Sequence, residues 1–332
     1  NNNNNNNETL TWRVVLFDFD DQEVRGHVEC LEGLASILGK ENVEYARRQF
    51  YVGRNVLMAG KDLAEPFEPL GRPANLSVEE QYGPRPGHVH MIRYPVRTDM
   101  KHQIDARMEQ YRQSTNQTTL HIVTKERQID VASFTPTYYV QVSSQTLRGY
   151  VSEVVQNLSL TEYTISETTT TATSSVLPAD DSSHQTATSI SLDQQQGGTQ
   201  NKMLVHFGLA GFTDEVGRST PQDRYMDTML RSKIVVTCQR DGHEDHYRFF
   251  EAVLSGALVM TDPMHPLPAG YEHGKNVVVY TSLKEVRELI LYYVEHPTER
   301  LKIARAGYDL AMSRHRSWHV MERILLYNSS GQ

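Results

Sequence analysis

Four short runs, MLVHFG (203–208), KIVVTC (233–238), ALVMT (257–261) and NVVVY (276–280), are apolar and rich in β-branched residues. Stretches of helical period separate them. Leu283, Val286, Ile290 and Tyr293 fall on one helix face, and Leu301, Ala304, Tyr308 and Met312 on another. Strands without polar alternation are buried on both sides, so this pattern predicts a parallel sheet covered by helices on both faces. In such sheets ligands bind beyond the carboxyl ends of the strands.

The first half alternates in the same way. Arg13 to Phe17 is a buried-strand run, and Val24, Val28, Leu31, Leu34, Ala35 and Leu38 then recur at helical spacing with Gly39 as C-cap. LHIV (120–123) and TYYVQV (137–142) are expected strands, and Leu147, Val151, Val154 and Leu158 one face of a helix. Residues 50–90, rich in Gly and Pro, carry no assignable period. Asn1 to Asn7 form a homopolymer tract outside the fold. Residues 161–200 run ETTTTATSS, DDSSHQTATS and DQQQGGTQN. So polar a stretch cannot offset its ordering entropy and is expected to be a disordered linker. The expected division is therefore 8–160 and 201–328, an α/β fold of two Rossmann-like domains.

With 332 residues, 38% of them apolar, the chain can bury a substantial core. Its formal charge of -8, without a long basic run, argues against nucleic acid or an anionic membrane as partner. Two cysteines, Cys30 and Cys238, exclude a disulfide framework. No apolar window is long enough to span a bilayer. The first residue is not methionine, so a signal or anchor upstream is compatible with the sequence. Sequons at Asn7, Asn75, Asn116, Asn157 and Asn328 would suit a secretory or Golgi lumen. Without an upstream signal the expectation is cytoplasmic.

The densest chemistry lies in SKIVVTCQRDGHEDHYRFFEAVLSGALVMTDP, residues 232–263. It reads as strand, polar loop, a helix beginning near Asp245, and a second strand with Asp262 just past its end. Arg248 and Glu251 sit one turn apart in the first two turns of that helix, a suitable place for a diphosphate. Ala252, Ser255 and Gly256 allow the helix and the next strand to approach closely. A metal reading of His243, Glu244, Asp245 and His246 fits no common zinc spacing.

From Arg248 to Leu325 the pattern Arg-x-x-Glu-Ala-x-x-x-Gly, then Asp, then Gly-x-x-x-x-x-Tyr is carried by Arg248, Glu251, Ala252, Gly256, Asp262, Gly274 and Tyr280, with a helical tail from His315 to Leu325. Over about eighty residues this resembles the donor-binding domain of GT-B glycosyltransferases, and most the CgeB-like spore-protein group, with looser kinship to the group 1 enzymes and the exostosins. The resemblance implies a GT-B-like fold. Its donor site would lie in residues 201–328 and face the interdomain cleft, with 8–160 on the acceptor side. It implies transfer of a sugar from a nucleotide-diphosphate sugar, without cofactor or metal, to an unknown glycan, protein or small-molecule acceptor.

By the resemblance, Glu251 binds the ribose hydroxyls. A carboxylate is acceptor-only and can take both bonds of a cis-diol. Arg240 and Arg248 would hold the diphosphate and stabilise the leaving group, beside Asp262 and the GLAG turn from Gly208 to Gly211. Asp245 and His246 are the candidate catalytic residues, to orient or deprotonate the acceptor. His243 stands where group 1 enzymes carry an earlier glutamate, which leaves a non-catalytic sugar-nucleotide binder open. A third reading starts from VVLFDFDD: Asp18 and Asp20 resemble the first motif of haloacid-dehalogenase-like phosphatases, although Gln22 stands where that motif has a hydroxyl residue.

Overall fold

A computed structural model describes residues 14–18, 25–39, 43–48, 88–134, 147–160, 162–163, 201–207, 223–238, 247–264 and 267–326. Two separate parallel sheets make an α/β architecture. The first consists of β1 (Val14–Asp18), β2 (Val43–Arg48) and β3 (His88–Ile92) in that order. The helix α1 (Arg25–Leu38) joins β1 to β2 as a crossover, and Val14 pairs with Val43. Gly39 ends α1 as the spacing predicts: its φ is 88° and its N–H donates to Ala35 O at 3.1 Å.

After β3 the chain passes through residues 93–97 into α2 (Thr98–Thr115), a helix that the sequence reading did not anticipate. It buries Met100, Ile104 and Met108 in the core of the second sheet. That sheet contains β4 (Ile129–Ser133), β7 (Val205–Phe207), β8 (Ser232–Thr237), β9 (Leu258–Thr261) and β10 (Val278–Val279). Their order is β10-β9-β8-β4-β7, all parallel. Helices α3 (Leu147–Asn157), α4 (Asp223–Arg231), α5 (Arg248–Leu254), α6 (Leu283–Glu295), α7 (Pro297–Arg314) and α8 (Ser317–Leu325) complete this unit. Every residue of β4 and β9 is buried, as expected of strands covered on both faces.

Two expectations are corrected here. LHIV is not a strand: residues Ile122–Thr124 form a single 3-10 turn, in which His121 Nδ1 accepts from Val123 N at 3.2 Å. The strand lies seven residues on, in IDVAS. Its Asp130 interrupts the apolar run, yet this carboxylate is buried with partners, Lys233 Nζ at 2.6 Å and Leu204 N at 2.8 Å. The expected strand 137–142 lies outside the described residues.

The expected split into 8–160 and 201–328 does not follow the sheets either. β4 sits between β7 and β8, so residues from both sides of the polar stretch build one sheet and one core. The ends of that stretch are tied together by β5 (Glu162–Tyr163) and β6 (Asn201–Lys202), which pair antiparallel. The described residues on either side of the polar stretch thus belong to one unit. The passage between the two sheets is at residues 93–97.

Candidate nucleotide-sugar site

Counted along the chain, the strands of the second sheet stand in the doubly wound order 2-1-3-4-5. The chain leaves β4 toward one edge and resumes at β8 on the other side of it. Between the carboxyl ends of β4 and β8, connecting segments diverge and a crevice must open. A pocket is found there, lined by Phe134 just past β4, Val236, Thr237 and Cys238 at the end of β8, Met229 of α4, Arg148 of α3 and Arg248 of α5. Both arginines are buried. Arg148 Nη2 donates to Cys238 O at 3.0 Å, so the carboxyl end of β8 holds this guanidinium at the pocket. Two buried cations thus converge on this pocket.

Arg248 is the first residue of α5, which starts three residues later than Asp245, the expected start. Glu251 follows one turn on and is buried at 2% exposure. Its Oε2 accepts from the Tyr225 hydroxyl of α4 at 2.5 Å, and its Oε1 lies 3.8 Å from Arg97 Nη1. Burial, reinforced by the Glu251 carboxylate, pushes the Tyr225 phenol well above the usual tyrosine value, so it remains a donor. The Tyr225 ring meets Phe134 edge-on, with centroids 4.8 Å apart. Tyr94 meets Tyr247 in the same manner at 5.7 Å, so residues 93–97 lie along the start of α5.

The other residues of the expected signature hold the frame. Gly256 has φ 73°, and a Cβ there would come within 2.9 Å of Arg127 Nη2 and 3.1 Å of the Ile122 carbonyl. Gly274 has φ 74° and closes a turn by donating to Val277 O at 2.8 Å. Tyr280 is fully buried; its hydroxyl donates to Thr237 O at 2.8 Å and its N–H to Thr261 O at 3.0 Å, bracing the carboxyl ends of β8 and β9. Asp262 follows β9 as expected but is fully buried and does not line the pocket. In the tail, His315 is buried and His319 Nδ1 accepts from Arg316 N at the start of α8.

Gly208, Gly211, Arg240, His243, Glu244, Asp245, His246 and Asp20 lie outside the described residues; Asp18 ends β1. Among the described residues no group of three or more potential ligands is close enough to hold a metal ion. No described helix is long and apolar enough to cross a membrane. Arg148, Tyr225 and Arg97 were not singled out by sequence. Arg148 had one available signal, a cation at the start of the helix that follows the first strand of the sheet.

Residues 197–326 match the family model described as glycosyl transferase-like. The likeness begins just before β6 and ends with α8, so this region carries the pocket's β8 and α5 walls. No curated protein sequence matches the chain. Among solved structures, the C-terminal domain of the glycosyl transferase group 1 family protein LpcC from Francisella tularensis is 19% identical, over 34% of this chain and 55% of that one, with a TM-score of 0.27. TarM is 10% identical, over 89% of this chain and 57% of its own, with a TM-score of 0.37. Alr3699/HepE from Anabaena, in complex with UDP, is 12% identical over 89% and 74%, with a TM-score of 0.40. The chain thus spans little more than half the length of the first two.

Proposed function

We propose that the chain is a GT-B-type glycosyltransferase of the CgeB-like kind, which moves a sugar from a nucleotide-diphosphate sugar to an acceptor hydroxyl. The observation that carries this reading is the convergence of buried Arg148 and Arg248 on a pocket at the β4/β8 switch point, with Glu251 one turn beyond Arg248. The diphosphate lies against the two guanidinium groups and the ribose hydroxyls bond to Glu251. An acceptor oxygen attacks the anomeric carbon, the bond from that carbon to the phosphate oxygen breaks, and the charge left on the nucleoside diphosphate is stabilised by the arginines. They supply the positive charge that a divalent metal provides in other transferases, so the reaction proceeds without one. Asp245 and His246 orient the acceptor and take its proton.

Thermal shift with a panel of UDP- and GDP-sugars, followed by a donor-hydrolysis assay, tests this. Stabilisation by at least one donor, with turnover, is expected. Arg148→Ala and Arg248→Ala should each weaken donor affinity about tenfold or more, since each removes a charged hydrogen-bond donor. Stabilisation without turnover would indicate a binder. No stabilisation by any donor, with phosphatase activity that Asp18→Asn abolishes, would overturn the proposal.

A further inference from the structure

Glu251 is held from two sides, and the groups that hold it come from different parts of the chain. Tyr225 approaches Oε2 from α4, and its ring is wedged edge-on against Phe134, a residue of the pocket wall. Arg97 approaches Oε1 from the passage between the two sheets. Its guanidinium is also oriented by Asp99, with Nη2 to Oδ2 at 2.5 Å and Nε to Oδ1 at 3.1 Å. A carboxylate on a flexible side chain, buried to 2% exposure, has little water to orient it, so its orientation is set by these neighbours.

We propose that Tyr225 and Arg97 are positioning residues for nucleoside recognition: Tyr225 pins the Glu251 carboxylate in the rotamer that meets the ribose cis-diol, and Arg97 holds it from the Oε1 side. This rests on the donor-site reading above. A carboxylate has about four lone-pair sites. Tyr225 takes one of them, on Oε2, and Arg97 stands on the Oε1 side. The arrangement ties ribose recognition to α4 and to residues 93–97, as well as to the helix that carries Glu251.

Titration calorimetry with UDP, GDP and their 2′-deoxy counterparts separates this role from a merely structural one. The wild-type chain should prefer the ribonucleotide. Tyr225→Phe, which deletes one hydroxyl, should lower ribonucleotide affinity about tenfold and change the deoxy affinity less than about twofold. Glu251→Gln should do the same. Arg97→Gln should reduce the preference, and Arg97→Lys should restore most of it. If Tyr225→Phe weakens ribo and deoxy forms equally, or neither, the positioning role is overturned. If it does so while Glu251→Gln abolishes the preference, the donor-site reading stands and this inference alone falls. If wild type binds none of the nucleotides, both fall.

Discussion

Arg127 shows how one residue can secure the frame of a site from beneath it. Its guanidinium is wholly enclosed and donates to five backbone carbonyls: Nη1 to Met229, Leu230 and Ser232, and Nη2 to Ile122 and Ser255. Met229 and Leu230 belong to the last turn of α4 and Ser255 is the C-cap of α5, where helix carbonyls lack intrahelical donors and favour a cation. Burial lowers its pKa to about 9, which leaves it charged at neutral pH. Arg127→Met should therefore cost about 3 kcal/mol in urea unfolding, because five buried acceptors lose a partner at once. Gly256→Ala should cost about 2–4 kcal/mol, combining left-handed strain with the approach to Arg127 and Ile122. A glycine so placed is visible in sequence, but its reason is an arginine 129 positions earlier, which no local reading connects to it.

At the level of elements, α5, α7 and the loop before β10 meet in an aromatic cluster. His315, just past α7, stacks obliquely on Phe250 of α5 at 5.1 Å and on Tyr271 at 5.5 Å, and its Nε2 donates to Ala269 O at 2.9 Å. Tyr271 in turn donates to Gly307 O at 2.8 Å. Gly307 lets α7 cross close to the loop, since a Cβ there would stand 2.4 Å from Asn276 O. In α7, Arg300, Ile303, Ala304, Gly307 and Ala311 are buried, and Leu301, Tyr308 and Met312, which the period set on one face with Ala304, pack half-buried against the core. In α6, by contrast, Leu283, Val286, Ile290 and Tyr293 are buried as the period predicts.

Burial holds the His315 pKa below its ordinary 6.5, despite the bond to Ala269, which raises it. The folded state therefore keeps this imidazole neutral, while the unfolded chain takes up a proton as the pH falls through 6.5. The stability it contributes is present above 6.5 and is lost on acidification below it. His315→Gln should flatten the fall in unfolding free energy between about pH 7 and pH 5, measured by urea titration, relative to wild type. A slope unchanged by the substitution would show that other groups carry it.

At the scale of the whole molecule, β4 decides what can fold. A chain starting at residue 201, the boundary that composition suggests, lacks the strand between β7 and β8, and also α2 and α3. It should show no cooperative urea transition by circular dichroism. A chain of 93–332 retains the whole second sheet and its core and should unfold cooperatively. Cooperative unfolding of the shorter piece would contradict the strand order. The polar stretch misled because low apolar content reports only that a segment cannot make a core. It does not report whether its two ends return to the same sheet, as Glu162 and Lys202 do.

The α/β class, the parallel strands from β7 onward, the C-cap at Gly39 and the placing of Arg248 and Glu251 one turn apart at the start of a helix were legible in the sequence alone. They rest on local periodicity, on backbone preferences and on a motif short enough to lie within one helix and the strand after it. The tertiary structure alone decided that IDVAS is a strand, since its Asp130 is tolerated only with Lys233 and Leu204 beside it. It alone brought Arg148 to Arg248 and set Tyr225 and Arg97 around Glu251. Each of those pairings joins residues between 26 and 154 positions apart. A strand order is a non-local choice, and only once it is made does a pocket exist for distant side chains to share.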